Sequence, residues 1–160
     1  MLWPKVIAAG TKYDETICLT DLLATAADIT NTRLPDNGGE DSVTLLPYMS
    51  GDNKGALKEA TVHYSINGSF AIRQGKWKLV LCADSGGWSP PSQKKGEDKG
   101  LSPIQLYDIE TDLGEKNNVY AQHPGVVKHL TRLLESYVKN GRSTPGAPQE
   151  NDVAVTIVKN

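Results

Sequence analysis

The chain has 160 residues, of which 38% are hydrophobic and 22% are charged, and its net charge at pH 7 is −2. This length is typical of one domain and allows a hydrophobic core. No apolar segment approaches the roughly 18 residues of a membrane span, and the composition is too apolar for a disordered chain of low net charge. The balanced charge gives no basic surface for nucleic acid. We therefore expect neither a membrane nor a nucleic acid as partner.

Two cysteines, Cys18 and Cys82, are too few for a disulfide framework, and two buried free thiols are favoured over a single bridge. No signal peptide is visible, because the apolar segment at residues 2–9 is short and contains Pro4 and Lys5. If Met1 is the native start rather than an internal cut, the expected location is the cytoplasm.

The first third of the chain predicts one helix and little else. Residues 6–9 are apolar and could form a strand or simply core. Residues 20–29 predict a helix that Thr20 or Asp21 can cap, since apolar side chains recur there at helical spacing. A second short helical turn is expected at 43–49, interrupted by Pro47.

The middle of the chain predicts an antiparallel meander. Residues 61–66 and 69–73 flank Asn67-Gly68, a pair typical of a type I′ hairpin turn. A second turn leads to a third strand at 76–82, in which Trp77 is expected to face inward. A long loop at 83–103 precedes a fourth strand at 104–109.

The end of the chain predicts a long helix. Pro124 suits the first helical position, apolar residues follow with a 3.6-residue period, and Gly141 is a typical stop. Residues 153–158 could add an edge strand. The resulting fold class is α+β, with a four-stranded antiparallel sheet packed against a long C-terminal helix.

The residues themselves indicate no self-contained active site. The acidic segment from Asp108 to Asp112 lacks the glycine and glutamate of a calcium loop, so these side chains are expected to cap a turn. His63 is more often a half-buried sheet histidine than a ligand-contacting residue in such a setting. Trp88 could be a lid that faces substrate or an anchor that packs its loop. Asn67-Gly68-Ser69 is a glycosylation sequon, but an unmodified turn is favoured.

Six segments, in order, resemble the C-terminal part of a sulfatase of the arylsulfatase type, in the form found in bacteria. Each is weak alone, and their order and spacing make the resemblance specific. They are Trp3-Pro4-Lys5-Val6 with Ala9-Gly10, residues 19–25, Leu34-Pro35 with residues 41–47, residues 68–79, residues 106–118 and residues 141–146.

The resemblance implies a sulfate-ester hydrolase whose formylglycine and calcium ligands belong to an N-terminal α/β domain. Neither Cys18 nor Cys82 is followed by the Pro at +2 and Arg at +4 that formylglycine formation requires in the family. The cofactor expectation is therefore none in this chain, with no catalytic and no metal-binding residue. Full-length relatives are often periplasmic or secreted.

The resemblance also implies three parts. Residues 1–57 would end the α/β domain with a short strand and helix, residues 58–146 would form the C-terminal subdomain, and residues 147–160 would be a tail. Loops of the subdomain would rim the substrate pocket, with His63, Ser65 and Trp88 as substrate-binding candidates.

The expected function is the C-terminal fragment of a sulfatase, inactive alone. The alternative is a standalone module for carbohydrate binding or protein interaction, with a sulfated carbohydrate as a possible ligand. Surface that the α/β domain would normally cover favours a homo-oligomer.

Overall fold

The computed structural model describes residues 3–52, 55–90 and 100–158. The chain forms two compact units, taken separately below: the first unit is Met1–Glu59 with Asn140–Glu150, and the second unit is Ala60–Lys139 with Asn151–Asn160. In chain order the elements are α1 (Asp21–Ile29), α2 (Leu46–Met49), β1 (Thr61–Tyr64), β2 (Phe70–Gln74), β3 (Trp77–Val80), β4 (Gln105–Asp108) and α3 (Pro124–Asn140). Across the described ranges, no helix has the length and apolar character needed to cross a membrane.

The second unit contains the predicted four-stranded meander. The strand order is β1-β2-β3-β4 with every pair antiparallel. The register aligns one apolar residue from each strand, so that Val62, Ile72, Leu79 and Leu106 form a row across the sheet. Because side chains alternate along a strand, this row lies on a single face. We call it the core row.

Helix α3 covers the core row, which confirms the predicted α+β class. Leu130 and Leu134 of α3 are almost fully buried in the same cluster as Ile72 and Leu79. Trp77 packs at the edge of this cluster, as expected from strand alternation. The Lys76 ammonium lies 4.8 Å from the centre of the Trp77 ring.

The boundaries of α3 follow the predicted signals. Pro124 is its first residue, and Gly141 follows its last residue with φ of +60°, a conformation that favours glycine. The edge strand that residues 153–158 could have added does not form. Val155 and Ile157 instead pack against the core cluster, so their apolar character reflects burial rather than strand pairing.

In the first unit, α1 begins where predicted, but its capping differs from the expectation. The Thr20 side chain does not cap the helix. Instead the fully buried Asp21 carboxylate accepts hydrogen bonds from Cys18 N at 2.8 Å, Val43 N at 3.2 Å and Lys58 Nζ at 2.7 Å. One side chain therefore joins three segments of the unit.

The remaining predictions for the first unit are refined by the structure. Residues 6–9 do not form a strand, and Val6 N and Ile7 N both donate to Trp3 O, which closes a turn over residues 3–7. The helical turn expected at 43–49 is shorter, and Pro47 lies in its first turn, where no N–H is needed.

Arg142 connects the two chain segments of the first unit, which are residues 1–59 and 140–150. Its guanidinium donates to the carbonyl oxygens of Asp36, Thr144, Pro145 and Ala147. The Thr144 hydroxyl adds a 2.6 Å bond to the carbonyl of residue 40. Residues 140–150 are thereby part of a unit that otherwise lies before residue 60.

We predict that Leu79→Ala destabilises the chain by about 2–5 kcal/mol, because Leu79 is fully buried and its loss leaves a cavity in the core row. Chemical denaturation followed by circular dichroism measures the change. Leu113→Ala is the matched control: Leu113 is 83% exposed, so its truncation should change stability by less than about 0.5 kcal/mol. Equal effects of the two variants would contradict this packing.

Candidate functional site

The three candidate site residues lie at one end of the second unit or on its edge strand. His63 belongs to β1, Ser65 follows that strand, and Trp88 belongs to the segment after β3. Part of the long loop predicted at 83–103 lies outside the described residues, namely 91–99. We call residues 82–90 the tryptophan loop and residues 65–69 the hairpin loop.

The hairpin between β1 and β2 forms at Asn67-Gly68, but with a different turn from the expected one. Gly68 N donates to Ser65 O at 2.9 Å, and Ser65 N donates to Ser69 O at 3.0 Å. Gly68 alone in this loop has positive φ, at +77°. This pattern is a three-residue turn closed by a glycine bulge rather than a two-residue type I′ turn, which would need positive φ at both central residues.

Ser65 has a structural role in this loop. Its hydroxyl donates to Asn67 Oδ1 at 2.7 Å and accepts from Ser69 N at 3.1 Å. Asn67 Oδ1 also accepts from the Ser69 hydroxyl at 2.6 Å. Ser65 therefore holds the shape of the hairpin loop, and its contact with substrate stays a prediction.

The tryptophan loop is held by hydrogen bonds within itself and to its neighbours. Asp84 Oδ1 accepts from Gly86 N, and the Ser85 hydroxyl donates to Ser89 O at 2.6 Å. Gln105 Nε2 of β4 donates to the carbonyls of Cys82 and Asp84. These bonds connect the tryptophan loop to β4 and join residues within the loop.

The tryptophan loop also lies against the hairpin loop. Asn67 N donates to Gly86 O at 3.2 Å. Gly86 is buried with φ of +66°, and a Cβ there would collide with the Ser65 side chain. The structure thus brings Ser65 close to the segment that carries Trp88, whose side chain is 90% exposed.

His63 lies on the opposite face of the sheet from the core row. The register places it beside Ala71, and Lys78 and Tyr107 occupy the same face on β3 and β4. Lys78 Nζ forms an ion pair with Glu115, at 2.6 and 2.8 Å from its two carboxylate oxygens. Among the described residues, no hydrogen bond joins His63 to Ser65 or Trp88.

Burial and nearby charges shift the pKa values of two titratable groups on this face. Desolvation and the Lys78 ammonium lower the pKa of His63 below its ordinary value of 6.5, while Glu115 opposes them. Just below pH 6.5, the His63 imidazole is therefore protonated more often in the unfolded chain than in the folded chain. As the pH falls below 6.5, this difference lowers the free energy of unfolding. Burial, with Glu115 and Asp112, raises the pKa of Tyr107, whose hydroxyl donates to Gln105 Oε1 at 2.6 Å.

The acidic segment that begins at the last residue of β4 has the capping role predicted for it. Asp112 Oδ2 accepts from Lys116 N and Asn117 N, both at 2.8 Å. Asp108 Oδ2 accepts from Lys76 Nζ at 2.7 Å, and its Oδ1 accepts from the backbone. Within 3–52, 55–90 and 100–158, no three His, Cys, Asp or Glu side chains are placed to hold a metal.

The two cysteines are not joined by a disulfide bond. Both are free thiols, with Cys18 half-buried and Cys82 buried. Burial raises the pKa of the Cys82 thiol, and its Sγ donates to Asp84 O at 3.3 Å. Cys82 therefore belongs to the base of the tryptophan loop.

The first unit exposes apolar side chains. The sequence predicted such a surface but not the residues that form it. Helix α1 buries the polar residues Asp21 and Thr25, whereas Leu22 and Leu23 are about half exposed. Leu19, just before α1, is 84% exposed. We call Leu19, Leu22 and Leu23 the leucine surface.

A mostly apolar groove of about 270 Å³ lies in the same unit. Edge-on contact between Tyr13 and Tyr48, with ring centroids 6.0 Å apart, forms part of its wall. The other lining residues are Ile7, Thr11, Glu15, Ile17, Leu45, Met49 and Leu57.

The second unit has an α+β fold in which one helix covers a four-stranded antiparallel sheet, and it carries a loop with an exposed tryptophan. Comparison with known proteins agrees with this class. No family model matches the sequence. The N-acetylgalactosamine-6-O-sulfatase of Bacteroides thetaiotaomicron is 33% identical over 137 residues, which cover 84% of this chain and 25% of that protein. Human arylsulfatase K is 24% identical over 156 residues, covering 91% of this chain and 26% of that protein.

A solved sulfatase structure is also similar to this chain. It comes from work on the metabolism of multiple glycosaminoglycans by Bacteroides thetaiotaomicron, and it is 33% identical with a TM-score of 0.57, covering 72% of this chain and 24% of that one. The chain belongs to the sulfatases and corresponds to the C-terminal portion of that family. It spans about a quarter of the length of these relatives.

We predict that Lys78→Met raises the pKa of His63, because it removes the cation that lowers this pKa and leaves Glu115 to favour the imidazolium. NMR titration of the imidazole signals measures the shift. Lys76→Met is the control, since Lys76 pairs with Asp108 and should leave His63 unchanged. A His63 pKa that is the same in both variants would show that the two groups do not interact.

Proposed function

We propose that this chain is the C-terminal portion of a sulfate-ester hydrolase and does not catalyse hydrolysis alone. The 33% identity to an N-acetylgalactosamine-6-O-sulfatase supports the hydrolase class. The use of Asp108 and Asp112 as turn caps, together with two cysteines that lack the formylglycine motif, supports the view that the catalytic groups come from another part of the enzyme.

In this proposal the second unit helps to position the substrate next to the catalytic groups. Binding groups on loops that a rigid scaffold holds are common in enzymes, and the sheet with α3 is such a scaffold. Ser65 supports the hairpin loop, and Trp88 is displayed beside it; both stand at what we propose to be the rim of the substrate pocket. The role of His63 in the same rim is proposed on its exposure alone. The name of the relative supports a sulfated hexosamine as the substrate class.

We predict that the purified chain does not hydrolyse nitrophenyl sulfate, because no residue in it fits the family's nucleophile. Release of nitrophenolate, measured by absorbance, should equal the buffer rate, with an active sulfatase as positive control. The variants Cys18→Ala and Cys82→Ala should leave this background unchanged. Turnover that survives repurification and disappears in either variant would overturn the proposal.

A second candidate function is a module for protein interaction, and the leucine surface is the observation that favours it. Helix α1 buries Asp21 and Thr25 beside Ala27 and leaves its leucines about half exposed, so apolar area remains available to a partner. We propose that a second copy of this chain covers this side when no other partner is present. Closed dimers through one shared patch are the commonest such arrangement.

We predict that the chain sediments as a dimer or larger species at micromolar concentration, and that Leu19→Ser with Leu22→Ser shifts it to monomer. The exposed side chains drive association by removing apolar area from water. Leu113→Ser, which removes an equally exposed leucine from the second unit, should leave the association unchanged. A wild-type chain that is monomeric at every concentration contradicts the proposal.

A further inference from the structure

The chain contains three Asn-Gly pairs, and the fold places each of them in a different backbone setting. They are Asn37-Gly38, Asn67-Gly68 and Asn140-Gly141. An asparagine side chain is most open to attack by the main chain when glycine follows it, because glycine has no Cβ to shield its nitrogen. By local sequence the three pairs are equivalent, so the surrounding structure decides which of them reacts first.

Asn67, in the hairpin loop, is distinguished by the contacts of its amide oxygen. Asn67 Oδ1 accepts hydrogen bonds from the Ser65 hydroxyl at 2.7 Å, the Ser69 hydroxyl at 2.6 Å and Ser69 N at 2.9 Å. Three donors on one carbonyl oxygen draw electron density away from the amide carbon, Cγ. They are already in place where a negative charge on Oδ1 would form, as donors are in an oxyanion hole.

The nucleophile for this carbon is the main-chain nitrogen of Gly68. Its attack on Asn67 Cγ is intramolecular and closes a five-membered ring, so it has the high effective concentration of such reactions. Gly68 N donates to Ser65 O at 2.9 Å, and this bond must open before the nitrogen can attack. Asn67 is exposed at the tip of the hairpin, where a local opening of this kind costs little free energy.

The other two pairs lack this arrangement. Asn140 is the last residue of α3, and ring closure would require it to leave helical dihedral angles. Asn37 is exposed in a turn in which Gly38 N donates to Pro35 O at 3.0 Å. In the part of the chain that the structure describes, no hydrogen-bond donor reaches the Asn37 side chain.

We propose that Asn67 is the residue at which the folded chain deamidates first, with the hairpin loop supplying donors that favour the reaction. The Gly68 amide loses its proton to hydroxide, and the bond from Gly68 N to Asn67 Cγ forms. The bond from Cγ to Nδ2 breaks, and ammonia leaves with a proton from water. Water then opens the succinimide at either carbonyl, which gives aspartate or isoaspartate. The reaction consumes water, releases ammonia and changes no oxidation state.

Isoaspartate in this loop alters the contact between the hairpin loop and the tryptophan loop. It adds a methylene group to the main chain inside the turn that Ser65 N and Ser69 O close at 3.0 Å. Asn67 N donates to Gly86 O at 3.2 Å, and the longer main chain shifts this donor. Deamidation therefore loosens the tryptophan loop from its neighbour. The modification needs no substrate and is independent of the proposed function.

The test is incubation of the full chain at physiological pH and temperature, followed by peptide mapping with mass spectrometry at successive times. Replacement of NH2 by OH raises the peptide mass, and an isoaspartyl methyltransferase labels the isoaspartate product. Asn67 should convert at least about fivefold faster than Asn37 or Asn140, the effect of one hydrogen bond on a barrier. In guanidinium chloride the three rates should converge, because the donors are then lost.

A serine variant tests the donors directly. Ser65→Ala removes one donor to Asn67 Oδ1 and should slow the conversion by about fivefold. If the loop instead protected Asn67 by holding it still, Ser65→Ala would speed the conversion. Ser136→Ala removes a serine hydroxyl from the exposed surface of α3, so it is the matched control and should leave the rate unchanged. Circular dichroism confirms that both variants remain folded.

Three outcomes overturn the proposal. The first is a folded wild-type chain in which Asn37 or Asn140 converts as fast as Asn67 or faster. The second is a folded chain in which Asn67 does not convert although it converts in guanidinium chloride. The third is a Ser65→Ala rate that equals or exceeds that of the wild type. The comparison of the three pairs uses the wild-type chain alone, so it decides the question even if Ser65→Ala does not fold.

Discussion

The second unit depends on the packing of α3 against the core row. Ile72, Leu79 and Leu106 have no exposed surface, and Leu130 with Leu134 closes the other side. Interiors of this kind are close-packed, so the positions of the strands are fixed within narrow limits. The hairpin loop and the tryptophan loop extend from strands held in this way. The core therefore sets the positions of the strands from which both loops extend, and Gln105 connects the tryptophan loop to β4.

Much of the second unit could be predicted because its signals are local. Asn67-Gly68 marked the first hairpin, and Pro124 and Gly141 marked the ends of α3. The turn type at Gly68 could not be read, since both turns accept the same two residues and differ only in how Ser65 and Ser69 pair. The possible strand at 153–158 does not form, because apolar alternation predicts burial as readily as strand pairing.

The site was harder to predict because its contacts are distant in sequence. The approach of Gly86 to Ser65 and the bonds from Gln105 to the tryptophan loop join residues about 20 positions apart. The same holds for Asp21, which looked like a simple helix cap. Its buried pairing with Lys58 could not be inferred without the fold, since nothing in the local sequence distinguishes it from a surface carboxylate.

Arg142 has a consequence for the order in which the chain folds during its synthesis. The first unit needs residues 140–150, which Arg142 ties to the carbonyl of Asp36. The second unit needs Val155 and Ile157 against its core. Neither unit can close before residues 140–158 have been synthesised. Each unit therefore depends on contacts that are distant in sequence, and a chain that stops before Arg142 lacks a closing segment in each.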